Sequence, residues 1–161
     1  MLYIRDTIVG PMAIGGDKEW ITHLYLPKNT VGLTAIGKKE PKMVKEAFRQ
    51  LELYLDGKLR EFDLPLKAEG TDFMKKVWEK LMEVPYGTTA SYKDLAIAAG
   101  NEKAVRAVGM ANARNPIAIF IPCHRIIGAS GKLVGYGGGL ELKTWLIEME
   151  AATLARDGSG T

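Results

Sequence analysis

A chain of 161 residues, 47% hydrophobic and 25% charged, has the composition of one globular domain or two small ones, which excludes intrinsic disorder as its main character. The longest apolar run, Pro116 to Cys123, falls far short of the roughly 20 residues that span a bilayer, and residues 1–10 lack a basic start followed by an apolar core. No membrane segment or secretory leader is therefore expected, and the expected location is cytoplasmic. The single cysteine, Cys123, excludes an intramolecular disulfide and a cysteine-based zinc site, and a net charge of +3 announces a polyanion partner only if the charges are unevenly placed.

Residues 1–36 mix Ile, Val, Leu, Tyr and Thr with breaks at Gly10-Pro11, Gly15-Gly16-Asp17 and Pro27-Lys28-Asn29, which predicts a small antiparallel sheet. From Glu40 the apolar residues Met43, Val44, Ala47, Phe48, Leu51, Tyr54 and Leu55 recur at three- and four-residue spacing. That period predicts an amphipathic helix to about Asp56, stopped at Gly57. Residues 61–70 carry no helical period. We place an N-terminal α/β domain at 1–62, a linker at 63–70, a second domain at 71–156 and a small polar tail, expected to be disordered, at 157–161.

In the second domain, Thr71 reads as the N-cap of a helix whose apolar stripe is Phe73, Met74, Val77, Trp78, Leu81 and Met82, closed by Pro85-Tyr86-Gly87. Ser91 caps a short helix from Tyr92 to Ala99, Gly100 supplies a turn, and a further helix runs from about Glu102 to Arg114, ended by Asn115-Pro116. Ile117 to Ile121 is a β-type run, Ser130-Gly131-Lys132 suggests a hairpin tip, and Leu140 to about Ala155 is helical. Two short helices joined by a glycine turn and followed by a hairpin outline a winged helix. The fold class is α+β.

On the helix after Gly100, Arg106, Met110 and Arg114 share one side with Ala107 and Ala113 beside them, opposite Ala104, Val105, Val108 and Asn112. Between Ser91 and Lys132 the basic residues are Lys93, Lys103, Arg106, Arg114, Arg125 and Lys132, against only Asp94 and Glu102. A low-profile cationic face suits close approach to nucleic acid, although a plain solvated helix has the same appearance. At the end of the apolar run, Pro122-Cys123-His124-Arg125 places thiol, imidazole and guanidinium side by side. A buried cysteine is usually a small core hydrophobe; a neighbouring base and cation are what favours the thiolate, the form that attacks.

Ile121-Pro122-Cys123-His124-Arg125-Ile126, preceded by Asn115-Pro116 and followed by Gly135-Tyr136-Gly137-Gly138-Gly139, resembles the active-site motif of the O6-alkylguanine-DNA alkyltransferases. The likeness runs through Val77-Trp78, Val84-Pro85-Tyr86-Gly87, Ser91-Tyr92, Arg106-Ala107-Val108-Gly109, Lys143 and Glu148-Met149-Glu150, and more loosely through residues 1–60, where it implies a ribonuclease H-like domain. The resemblance implies DNA repair by irreversible, stoichiometric transfer of the alkyl group from O6-methylguanine, and more slowly O4-methylthymine, onto the protein's own cysteine, with nucleotide flipping.

By this resemblance Cys123 is the acceptor, His124 acts through a water as base, and Glu150 orients it. Tyr92 would donate a proton toward the guanine ring and Lys143 would support that side of the pocket. Backbone amides near Tyr136 and Gly137 would hold O6, Pro122 and Ile126 would line the substrate site, and Asn115 would tie the recognition helix to the active-site turn. Arg106 would take the place of the flipped nucleotide, while Ala107, Gly109, Met110, Arg114 and Tyr92 would contact DNA in the minor groove. The expected partner is double-stranded DNA containing O6-alkylguanine, the expected state a monomer, and no cofactor or metal is implied because the cysteines of the family's occasional zinc site are missing. A non-catalytic DNA-binding module, a multiple-turnover cysteine hydrolase and a transcription factor are the competing readings.

Overall fold

The computed structural model describes residues 1–36 and 39–158, arranged as two compact units: residues 1–69 together with 116–120, and residues 70–115 together with the chain from 121 onward. Among the described residues no helix is long and apolar enough to cross a membrane.

In the first unit β1 (Leu2–Thr7), β2 (Gly10–Gly16) and β3 (Ile21–Tyr25) form an antiparallel sheet in that order, with Tyr3 opposite Ile14 and Ile14 opposite Leu24. Helix α1 (Lys42–Leu55) packs on β2 and β3. It buries Val44, Ala47, Phe48, Leu51, Tyr54 and Leu55, the face its periodicity marks. Gly57, at φ 72°, closes it, its amide donating to Tyr54 O and that of Lys58 to Leu53 O.

The segment read as a linker, 63–70, is instead docked over much of its length. Ile21 N donates to Pro65 O and Lys67 N to Ile21 O, while Gln50 closes a pair of bonds with the Asp63 backbone at 2.9 and 3.1 Å. The reason is backbone satisfaction, because β3 otherwise presents unpaired groups along its edge.

The run Ile117 to Ile121, expected as a strand, is also different. Ile117 makes one bridge to Leu24, after which Phe120 N donates to Ala118 O across Ile119, whose φ is 71°. A β-branched residue in that region costs about 1–3 kcal/mol and persists only where its surroundings enforce it. Here Ile117, Ile119 and Phe120 are all within 1% of complete burial, and the Phe120 ring packs edge-on against Phe62, centroids 4.7 Å apart. The periodicity of an apolar run does not distinguish such a buried turn from a strand.

In the second unit, α2 (Asp72–Met82) begins at Thr71, whose hydroxyl accepts from Met74 N at 3.1 Å. Its Trp78 lies across Gly70, where a Cβ would sit 2.6 Å from the ring, and the indole N–H donates to Ala111 O at 2.9 Å. Helix α3 (Tyr92–Ala98) has a full capping box: Asp94 N donates to Ser91 Oγ and Ser91 N to Asp94 Oδ2. Gly100 turns the chain at φ 97° into α4 (Val105–Ala113), which packs with α2 and α3. Helix α4 starts later than expected because the Asn101 side chain accepts from Lys103 N and its carbonyl from Ala104 N, forming a turn there. Val105, expected on the inner side, is exposed, and Ala111 is buried in its stead.

The expected hairpin is a single turn, with Gly128 N donating to Lys132 O at 2.7 Å. Its strand β5 (Ile126–Ile127) pairs in parallel with β4 (Ala90–Ser91). The last helix, α5 (Leu140–Gly158), includes Asp157 and Gly158, which were expected in the tail; residues 159–161 lie outside the described residues.

Candidate active site

Two tight turns in succession deliver the cysteine. Asn115, just beyond α4, donates from Nδ2 to Ile121 O at 2.8 Å, and Pro122, at φ −80° and ψ 62°, folds so that Cys123 N donates back to Ile121 O at 2.8 Å. The proline ring fixes φ at nearly the value this inverse γ-turn requires. Residues 123–125 then form one turn of 3-10 helix, which bonds Arg125 N to Pro122 O and turns Cys123, His124 and Arg125 all inward. Asn112, on the buried side of α4, reaches Cys123 O at 3.5 Å.

Helix α5 provides the opposite wall. Lys143, Leu146, Glu150 and Thr153, spaced three and four apart, are its buried residues around the site. Glu150 is 1% exposed, and its carboxylate is fully engaged. Oε2 takes His124 Nε2 at 2.7 Å and Arg125 NH2 at 3.0 Å, and Oε1 takes Arg125 Nε at 2.9 Å and Gly87 N at 3.0 Å. Four donors fill the acceptor capacity of a carboxylate. Burial alone would raise its pKa, but the hydrogen bonds from His124 and Arg125 and their charges hold it at about 2. Gly87, at φ 78°, can bring its amide this close only without a side chain, since a Cβ there would lie 2.1 Å from Leu154 Cδ1.

Burial raises the pKa of the Cys123 thiol, against the opposing pull of the Asn115 hydrogen bond and the Lys143 charge. The group is therefore a thiol at neutral pH. Burial likewise lowers His124, with Glu150 acting in the other direction, so its imidazole is neutral at rest. Because the Glu150 carboxylate accepts the Nε2 proton, the basic lone pair of that tautomer is on Nδ1. Lys143, fully buried, donates to Val134 O at 3.0 Å and Gly135 O at 3.3 Å, and Tyr92 OH donates to the same Val134 carbonyl at 3.3 Å. The Tyr136 hydroxyl is buried with no hydrogen-bond partner among the described residues, and burial together with the Cys123 and Glu150 charges pushes its pKa well up.

The structure thus brings Cys123, His124, Glu150, Asn115, Lys143, Tyr92 and Tyr136 into one region. Pro122 and Ile126 are there but buried, Gly137 is exposed, and Gly109 lies against the Tyr92 ring. Arg106, Ala107, Met110 and Arg114 are all exposed on one face of α4. Arg125, read from sequence only as a neighbour that favours thiolate, spends its guanidinium on Glu150 and on Val84 O at 2.8 Å, and packs over the Tyr86 ring. No local pattern reveals that partner 25 residues on.

Two family models cover nearly the whole chain: 6-O-methylguanine DNA methyltransferase, ribonuclease-like domain, over residues 2–68, and the DNA binding domain of the same family over residues 72–152. The chain belongs to the 6-O-methylguanine DNA methyltransferase family. A methylated-DNA–protein-cysteine methyltransferase of Methanosarcina barkeri is 48% identical over 153 residues, 94% of this chain and 97% of that protein. Its counterpart in Mycobacterium leprae is 45% identical, covering 93% of each chain. Among solved structures, Mycobacterium tuberculosis OGT in complex with DNA superposes with a TM-score of 0.86 at 42% identity, covering 94% of this chain and 93% of that one. In this chain the ribonuclease-like match falls within the first unit, and the DNA binding match falls within the second apart from residues 116–120.

Proposed function

We propose that this methyltransferase repairs duplex DNA by moving the alkyl group from O6 of guanine onto Sγ of Cys123, once per protein molecule. The observation that carries this reading is the buried Cys123-His124-Glu150 arrangement in a helix-turn-helix unit, within a chain matched over 94% of its length by a methylated-DNA–protein-cysteine methyltransferase.

The Sγ electron pair attacks the alkyl carbon opposite O6; an S–C bond forms as the C–O6 bond breaks, and its electron pair passes to guanine. The thiol proton goes to His124 Nδ1 by way of a water. Guanine takes a proton from Tyr92, and the proton held by His124 passes through water to the Tyr92 oxygen, so both groups are restored and the net change is exchange of the thiol hydrogen for the alkyl group. Burial disfavours a resting thiolate, so attack depends on His124 as the base that takes up the thiol proton. Burial keeps Tyr92 protonated, and its long bond to Val134 O is one that a guanine ring nitrogen can replace. Lys143 fixes the Val134–Gly135 backbone, and with it the loop whose Tyr136 and Gly137 amides receive O6. The thioether product has no good leaving group, so the protein is consumed.

On DNA, Arg106 fills the gap left by the flipped nucleotide, while Ala107, Gly109 and Ala113 keep the helix low enough to approach the minor groove. Met110, 55% exposed, adds an apolar contact, and Arg114 reaches phosphate. The protein acts in the cytoplasm as a monomer without cofactor or metal. With limiting protein and excess duplex carrying one O6-methylguanine, the restored guanine should equal the protein in amount. Repair of several duplexes per protein would instead establish a hydrolase, and sequence-specific binding to undamaged DNA a transcription factor.

A further inference from the structure

The Glu150 carboxylate is shared. One edge of the Arg125 guanidinium faces it with two bonds, Nε to Oε1 and NH2 to Oε2, while His124 shares Oε2 at 2.7 Å. The third guanidinium nitrogen is anchored to Val84 O, and the plane lies over the Tyr86 ring, 5.5 Å from its centroid. Such a clamp is more than attachment of α5 requires, because Gly87 N already ties down Oε1. Its electrostatic consequence falls on the histidine. A buried carboxylate facing only an imidazole would draw a proton onto it, leaving an imidazolium that cannot accept the thiol proton.

We propose that Arg125 is a positioning residue for alkyl transfer: by saturating Glu150 and offsetting its charge, it keeps His124 a neutral, correctly oriented imidazole at physiological pH. The other groups around the imidazole are consistent with this balance. Lys143, from α5, and Arg125 itself oppose its protonation, Glu150 favours it, Cys123 precedes it as a neutral thiol, and the buried Tyr136 phenol carries no charge. The inference rests on the alkyl-transfer reading of the site.

The test is the pH dependence of single-turnover transfer in the whole protein, with free O6-benzylguanine and with methylated duplex, in the wild type, Arg125→Met and Arg125→Lys, together with the NMR titration of the His124 ring without DNA. In the wild type the rate should hold down to below pH 6.5. In Arg125→Met the acid limb and the His124 midpoint should rise together by about one pH unit, so that transfer at pH 6 falls roughly threefold further than transfer at pH 8. In Arg125→Lys, which keeps a charge but cannot make the paired bonds, the limb should rise less. If Arg125→Met does not fold, Arg125→Lys decides. An equal loss at every pH, or an unmoved His124 midpoint, in whichever variants fold overturns the proposal. Absence of alkylation in the wild type would overturn the functional reading instead, since the ring titration is read without any transfer.

Discussion

Replacing Glu150 by Gln removes the charge at the centre of the site with little change of shape, and its effect on stability follows from the environment of the carboxyl. In the folded protein this group titrates at about 2, against an ordinary value of 4.5. At about 1.4 kcal/mol per tenfold change, that difference contributes roughly 3 kcal/mol of stability. Because the folded value is the lower one, the contribution is complete above pH 4.5 and is lost as the pH falls toward 2. At pH 3 roughly 2 of the 3 kcal/mol are gone. The Gln variant has nothing to titrate there and also leaves the buried Arg125 charge without its counterion, so its deficit at pH 7 should be about 3 kcal/mol or somewhat more. Urea unfolding of both proteins at pH 7 and pH 3 measures the gap directly. A deficit under about 1 kcal/mol at pH 7, or one that does not narrow by pH 3, would refute the argument that this carboxylate is held charged by its partners.

Cys123→Ala should abolish alkyl transfer while leaving affinity for alkylated duplex within about twofold, since the exposed face of α4 proposed to contact DNA does not include Cys123; gel-shift and transfer assays on one preparation separate the two. Arg106→Ala should slow repair of duplex at least tenfold more than reaction with free O6-benzylguanine, and equal losses on both substrates would remove its role in flipping. Gly87→Ala should destabilise by more than Gly131→Ala although both glycines have positive φ, 78° and 80°. A Cβ at Gly87 collides with Leu154, whereas Gly131 faces open space, so chemical denaturation should show about 1–2 kcal/mol for Gly131 and clearly more for Gly87.

Features whose cause is local were legible in the sequence. Thr71 and Ser91 are N-caps because their hydroxyls bond amides three residues on, and α1 buries the stripe its spacing marks. The cationic face of α4 is exposed as its periodicity predicts. What escaped depends on distant partners or on backbone geometry that hydrophobicity does not encode. The Ala118–Phe120 turn has the composition of a strand, the segment around Pro65 is held by β3, and β5 finds β4 some 35 residues earlier in the chain. In the candidate site, the family resemblance named Cys123, His124 and Glu150, and the structure brings His124 onto Glu150, whereas the attachment of Arg125 and Gly87 to Glu150 exists only once α5 has folded back.

The central claim, that Cys123 is the one-time acceptor of an alkyl group from DNA, is tested most directly by intact-protein mass spectrometry with peptide mapping after incubation with excess duplex bearing a single O6-methylguanine. The account predicts the mass of one added methyl, saturating at one per protein and mapping to the peptide that contains Cys123. A folded, reduced protein that gains no methyl, or gains it at another residue, would contradict it.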